Sequence, residues 1–290
     1  MTAARHIPIV KEAICEPGGA RANEDHLGST ECAAWVVDGV SGLDPVLVDG
    51  EPAPRWFSRC FSKHLATELS MSPDDSTLEI INRCLSNCIV EWDGAGMGDS
   101  SHPAATFAMV RVMSEEIELV CVGDCSIRYR LNDERVVVFA DRSVEPFENL
   151  TTNRLRKLQE EHPTLAHREL VQLLKPSMRN NRKFLNKVDG YNALTLSLQH
   201  ERNMVSTSLP LSASPYFLIT SDGFSRYSDL LKIGSDNEML EAAASAPLNE
   251  LLQDIRNVEN GDFECREFPR VKKSDDATAL WVEIALEAQS

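Results

Sequence analysis

With 290 residues, 42% of them hydrophobic and 26% charged, the chain has the composition of a globular protein able to bury a large core. Its formal charge of −16 argues against a nucleic acid or an anionic membrane as the main partner, because either would repel it. No apolar run reaches the length of a membrane span, and Met1 to Arg5 precede no signal-peptide core, so a cytoplasmic protein is expected.

In chain order, His6 to Cys15 alternates loosely as a strand and turns at Glu16-Pro17-Gly18-Gly19. Residues 26 to 31 and 32 to 37 supply two more strands around Glu31, and Pro45 to Pro54 is read as a loop. Phe57, Phe61, Leu65 and Leu69 form an i, i+4 stripe that predicts a helix over 54–70. Ser76-Thr77-Leu78-Glu79 has capping-box form, and Leu78, Ile81, Leu85, Cys88, Ile89 and Trp92 line one face of the helix behind it. Gly94 to Pro103 is a polar, glycine-rich loop. Four short β-branched-rich strands follow, over 104–113, 116–122, 126–131 and 136–139, with the look of an antiparallel meander. Helical patterns at 148–160 and 164–185 are split by His162-Pro163, and strands are expected at 193–199 and 203–209. Phe217 to Ser221 reads as a strand, Asp236-Asn237-Glu238 opens a helix, Pro247-Leu248 leads into another, and Ala277 to Ala285 is the last strand. Strands at both ends and helices in pairs point to two antiparallel sheets packed together with helices outside.

The acidic residues carry the chemistry. The apolar run Cys32 to Val37 suits a strand buried on both faces, yet it ends in Asp38-Gly39-Val40-Ser41-Gly42. A second apolar strand stops at Asp222-Gly223, Asp275-Asp276 stand just before a third, and Asn23-Glu24-Asp25 opens the strand region leading to Trp35. An isolated Asp-Gly is usually only a turn. Several at strand ends suggest more: if the ends converge, the carboxylates repel and cannot all ionise without cations among them. Clustered oxygens favour Mg²⁺ or Mn²⁺, and paired ions would make a hydrolytic centre for a phosphoryl group.

Asn23-Glu24-Asp25, Val37 to Gly42, Val122-Gly123-Asp124-Cys125-Ser126, Ser221-Asp222-Gly223 and Asp275-Asp276-Ala277-Thr278 occur in the order and approximate spacing of a known family. From about residue 18 to residue 285 the chain resembles the metal-dependent serine/threonine protein phosphatases of type 2C, in their bacterial form. The resemblance implies an αββα sandwich, that is, an α+β fold of two antiparallel β-sheets flanked by helices. It implies one phosphatase domain over 1–290, with a basic helical flap-like insertion at about 142–190. Residues 151–190 contain nine Lys or Arg and four Asp or Glu. Such helices are commonly just solvated; as a flap they would draw phosphorylated segments toward the site.

Carried over by motif, Asp38 would bridge two Mg²⁺ or Mn²⁺ ions and act as the central catalytic carboxylate, while Gly39 lends its carbonyl. Asp222 and Asp275 would hold one ion, Glu24 with Asp25 the other, and Asp124 a third and weaker one; Asp276 would support the ligands from behind. The implied activity is hydrolysis of phosphoserine or phosphothreonine by direct attack of a metal-activated water. The partners would be a phosphorylated protein and, opposing it, a serine/threonine kinase, with no nucleic acid and no membrane.

Two departures bear on this reading. Val40 stands where many members have a histidine that could protonate the leaving oxygen. Ala20 stands where many have a phosphate-gripping arginine, so Arg21, one residue on, is the candidate for substrate phosphate, with Arg179 or Arg182 as substitutes. Ala104-Ala105-Thr106 replaces a common Gly-Thr-Thr. A small phosphoester as substrate stays open, and so does a weak or inactive phosphatase-like protein that binds a phosphorylated partner. A cysteine nucleophile is disfavoured, because no Cys-x₅-Arg is present. The eight cysteines read as buried free thiols. Cys84-x₃-Cys88 and Cys121-x₃-Cys125 have no second pair or histidine at zinc-site spacing, so structural zinc is not expected.

Overall fold

Side chains alternate across each central strand, and that period of two sorts them into layers. The computed structural model describes residues 5–19, 22–44, 46–98 and 102–287. Its elements in chain order begin with β1 (His6–Glu16), β2 (His26–Ser29), β3 (Ala33–Gly39), β4 (Leu47–Val48), β5 (Glu51–Pro52), α1 (Ala53–Met71) and α2 (Thr77–Gly94). There follow β6 (Ala104–Val112), β7 (Glu116–Val122), β8 (Ser126–Arg130), β9 (Val136–Ala140), α3 (Glu145–Glu161), α4 (His167–Arg182), β10 (Leu194–Thr195) and β11 (Val205–Pro210). The chain closes with β12 (Tyr216–Thr220), α5 (Asp222–Asp229), α6 (Asp236–Ser245), α7 (Leu248–Gly261) and β13 (Ala277–Leu286).

One sheet has the order β1-β13-β12-β8-β9, the other β11-β7-β6-β3-β2 with β10 beside β6, and every pairing within them is antiparallel. Between the sheets lie Ala34, Val36, Ala108 and Val110 from one side and Ile127, Phe217, Ile219, Leu280 and Val282 from the other. The neighbouring residues Trp35, Val37, Phe107 and Met109 point the other way, onto Phe57, Phe61, Leu65 and Cys88 of α1 and α2. Leu218, Ala279 and Trp281 point outward beneath α5, α6 and α7. The result is the expected four-layer αββα sandwich, with first and last strands paired from His6↔Leu286 to Glu16↔Ala277. The capping box of α2 forms as read, Ser76 accepting from the Glu79 amide and Glu79 answering the Ser76 amide.

Four local expectations change. Leu47–Val48 and Glu51–Pro52 make a small ribbon, because Asp49 (φ 51°) and Gly50 (φ 85°) supply the two positive-φ positions of a tight hairpin turn. The strand expected at 193–199 shrinks to Leu194–Thr195, since Gln199 is drawn off to Asn82 by a 2.7 Å bond. Asp222-Gly223 opens α5 as well as ending β12. Most consequential, β7 and β8 are not a hairpin: β7 pairs with β6 and β11, and β8 with β12 and β9. The Gly123-Asp124 turn therefore carries the chain from one sheet to the other.

Candidate metal centre

Antiparallel pairing gathers strand starts and strand ends at one edge. His26 opposes Val37, so the start of β2, with Glu24 and Asp25 before it, lies beside the end of β3 at Asp38. Asp38 in turn opposes Thr106 near the start of β6. In the other sheet Thr220, two residues before Asp222, opposes Ala279 of β13 and Ser126 of β8. The start of β13 then brings Asp275 and Asp276, and the start of β8 brings Asp124. All the predicted acidic residues thus lie at one end of the sandwich.

Hydrogen bonds tie this end together. Asp276 accepts from the amides of Gly18 and Glu24, each at 2.8 Å, and so fastens the two N-terminal loops to β13. The Gly39 amide donates to the Glu24 carbonyl at 3.1 Å, and Ser41 Oγ donates to the Glu24 carboxylate. Thr278 Oγ1 donates to Asp25 Oδ2 at 2.8 Å. Asp141, at the foot of α3, accepts from the Gly123 amide at 3.2 Å and from Asn192 Nδ2 at 2.9 Å, holding the turn that carries Asp124. Gly123 has φ +75° and a Cβ there would stand 2.4 Å from Thr106 Cγ2, so no other residue fits unstrained. A Cβ on Gly223 would meet the Asp276 carbonyl oxygen at 1.9 Å.

The carboxylates feel one another. Burial, with Asp276 and Asp275 beside it, pushes Asp25 up to about 7. Burial and the fields of Asp275 and Asp124 do the same to Asp222, also to about 7. Asp38 is raised well above the usual carboxylate range by burial and by Asp25, Asp222 and Asp124. Asp124 and Glu24 are raised as well, chiefly by burial. Among the described residues no three of these acidic oxygens lie within 4.8 Å of one another. They surround a shared space without closing on it.

Whether divalent ions fit can be judged from the oxygens themselves. Asp25 Oδ1 is buried and has no hydrogen-bond partner among the described residues, a costly state for a carboxylate unless something positive sits beside it. The donor set is oxygen only, which suits Mg²⁺ or Mn²⁺. The residues present fit such ions.

Sequence reasoning missed two cations. Lys272 Nζ lies 2.5 Å from Asp275 Oδ1, and Arg226 Nη2 lies 2.9 Å from Asp275 Oδ2, so both oxygens of that carboxylate are taken. Burial alone would raise the Asp275 carboxyl, but Lys272 and Arg226 outweigh it and hold it below its ordinary value. Lys272 is itself held in its charged form by Asp275, Asp38 and Asp222 against the cost of desolvation. Arg226 also binds Glu259 at 2.6 Å, which anchors it to α7. The only hint in the sequence was the Lys272-Lys273-Ser274-Asp275 run, which in isolation is an ordinary charged loop.

The basic helices sit close by. Leu155, Leu158, Leu170 and Leu174 join α3 to α4, and Gln159 and His167 bind the Cys265 and Val271 carbonyls at 2.7 and 2.9 Å, just ahead of Lys272. Arg154, Arg156 and Lys157 face solvent. Arg182 donates to the Ser41 carbonyl beside Glu24, and Arg179 pairs with Asp44 at 2.9 Å. This helix pair also presents an acid, the exposed Glu148, whose carboxyl is raised by the surrounding protein and by the fields of Asp124 and Asp222. Arg21, the first candidate for substrate phosphate, lies outside the described residues, as does Ala20.

This frame has relatives. Solved structures similar to it include the serine/threonine phosphatase PstP/Ppp of Mycobacterium tuberculosis, at 16% identity and a TM-score of 0.55 over 96% of this chain and 98% of that one. The catalytic domain of PstP in complex with two manganese ions matches at 15% identity and a TM-score of 0.53, over 97% and 99%. A serine/threonine phosphatase of Staphylococcus aureus matches at 13% identity and a TM-score of 0.55, over 96% of each chain. At such identities these likenesses speak for the fold. No curated protein matches in sequence. The family model for protein phosphatase 2C matches residues 22–262, which spans the Glu24-Asp25, Asp38-Gly39, Gly123-Asp124 and Asp222-Gly223 motifs, and the chain belongs to that family.

Proposed function

We propose that the chain is a Mg²⁺- or Mn²⁺-dependent phosphoprotein phosphatase that hydrolyses phosphoserine and phosphothreonine. The observation that carries this reading is the buried, unpartnered Asp25 Oδ1 inside a ring of mutually raised aspartates, in a chain of the protein phosphatase 2C family. Asp38, with the Gly39 carbonyl, would hold two ions in common, Glu24 and Asp25 would serve one, Asp222 and Asp275 the other, and Asp124 a third. Bound there, the ions would supply acidity to a water and neutralise charge on the phosphoryl oxygens.

The chain's own groups do the rest. Asp276 keeps the Gly18 and Glu24 loops against β13, and Asp141 keeps Asp124 in place. An arginine would grip substrate phosphate in bidentate fashion. Arg21, Arg179 and Arg182 are the candidates, and the one whose Ala variant raises KM without lowering kcat is the grip. With Val40 in the histidine position, the leaving oxygen would take its proton from water or from another group. The α3–α4 pair would act as a flap over a phosphorylated protein segment, and a serine/threonine kinase in the cytoplasm would supply that substrate.

One observation favours a second reading, a metal-poor phosphatase-like protein that binds a phosphorylated partner. Lys272 already brings a positive charge into the ring and occupies Asp275. The deciding experiment is hydrolysis of p-nitrophenyl phosphate and of a phosphothreonine peptide with Mn²⁺, Mg²⁺ or EDTA, beside Asp38→Asn. Manganese-dependent turnover lost in the variant upholds the first reading. Absence of turnover on both substrates, with manganese bound, overturns it.

A further inference from the structure

On the helical layer that covers the second sheet lies a group of side chains that the acidic centre does not use. Cys60 and His64 are four residues apart on α1 and share one face of that helix, and Glu91 stands on α2. The two helices meet there. Ligand atoms of Cys60, His64 and Glu91 all lie within 4.8 Å of one another. Cys60 Sγ is 3.4 Å from Glu91 Oε2, and His64 Nε2 is 2.9 Å from Glu91 Oε1. The Cys60 thiol is buried, at 1% exposure, whereas the His64 and Glu91 side chains reach solvent.

We propose that Cys60, His64 and Glu91, with a water in the fourth position, form a tetrahedral site for a borderline-soft divalent cation, zinc above all, that clamps α1 to α2. Thiolate, imidazole and carboxylate are the zinc ligands, and bonds of about 2.0–2.3 Å place neighbouring ligand atoms roughly 3.3–3.8 Å apart. The Cys60 to Glu91 separation is already of that size, and the His64 to Glu91 contact has only to open by a few tenths of an ångström. Charge also closes. One thiolate and one carboxylate balance a divalent ion, and the Lys63 ammonium, which lies 2.9 Å from Glu91 Oε1, is exposed and can swing aside. That ammonium, with the bonds from His64 and Cys60, holds the Glu91 carboxyl down to about 2, ready to bind. Binding releases the thiol proton to water, and the solvent-facing His64 and Glu91 give the ion its way in.

Cobalt separates this site from the acidic one, because only thiolate ligands give Co²⁺ a near-ultraviolet charge-transfer band and a tetrahedral field gives it intense visible bands. The full chain, kept reduced with a phosphine, is titrated with Co²⁺. Wild type and Asp38→Asn are expected to develop both bands with about one equivalent. Cys60→Ser should lose the charge-transfer intensity. His64→Ala should weaken cobalt binding about tenfold or more, and it keeps the test open should the buried Cys60→Ser variant fail to fold. Zn²⁺ should bleach the bands and excess Mg²⁺ should not. Only weak octahedral bands in folded wild type, or a charge-transfer band unchanged in Cys60→Ser and His64→Ala, would overturn the site.

Discussion

The acidic centre and the thiol–imidazole cluster both gather ligand-type side chains but are assembled in different ways. Every residue of the first stands at a strand terminus, and antiparallel pairing makes one edge of a sandwich a single place. Any strand that ends in Asp-Gly at that edge delivers its carboxylate there. The second is built from residues in mid-helix, each of which passes for packing or surface, and it exists only because α1 and α2 are rotated to face each other. Strand ends converge by topology; helix faces converge by register.

The first centre should therefore break at single carboxylates and be tuned by charge. Asp38→Asn is expected to lower manganese-dependent hydrolysis of a phosphothreonine peptide by roughly a hundredfold or more, which at about 1.4 kcal/mol per tenfold is several kcal/mol. Its melting temperature without metal should hold or rise, since a repelling charge is gone. Unchanged turnover would remove Asp38 from the centre.

Lys272→Met tests the tethered cation. Without metal it should destabilise the fold by about 1–3 kcal/mol, because Asp275 and its neighbours lose a buried counter-charge. With Mn²⁺ the gain in melting temperature should exceed that of wild type, because the ion no longer competes with an ammonium. Equal gains in both would show that Lys272 does not touch the ions' site.

Protons give a subtler version of the same contest. Asp25 and Asp222 have folded values near 7, well above those of an unfolded aspartate, so the folded state holds protons that the unfolded state has released. Their contribution to metal-free stability falls as pH rises from the unfolded carboxylate range toward 7 and is constant above it. Those protons must leave before a cation binds. The stabilisation by saturating Mn²⁺ over EDTA should then grow from pH 5 to pH 7.5 and level off. A flat difference across that range would break the link between the raised carboxyls and the ions.

The smallest effect concerns the turn between the sheets. Gly123→Ala is expected to cost about 1 kcal/mol or more and to loosen Asp124, because of its φ and the Thr106 contact. Gly261→Ala, with open space around it at the end of α7, should be neutral or raise stability by up to about 1 kcal/mol. Thermal melts of the pair check this, and equal melting temperatures would discount strain at Gly123.

Much of the fold was legible in the residues. The continuous apolar runs Cys32 to Val37 and Phe217 to Thr220, the i, i+4 stripe of Phe57 to Leu69 and the capping box at Ser76 are local signals, and each element formed where they point. The carboxylates were legible too, since a charged group at the end of a buried strand is conspicuous in a single sequence. Harder to read were the partners of β8, because a Gly-Asp turn looks the same whether it folds back on its own strand or crosses to another sheet. Lys272 was invisible for a similar reason. Its charge matters only because the α3–α4 pair packs on the Val271 segment and the Asp275 end of β13 lies against the other carboxylates.

By itself, then, the sequence determined the elements, the layers and the strand-end acids, since those follow from short-range periodicity and turn chemistry. Tertiary structure alone decided which sheet each strand joins, which cation answers Asp275, and that Cys60 and His64 meet Glu91. Those outcomes depend on how whole faces dock, and docking is a property of pairs of elements that no single stretch of chain contains.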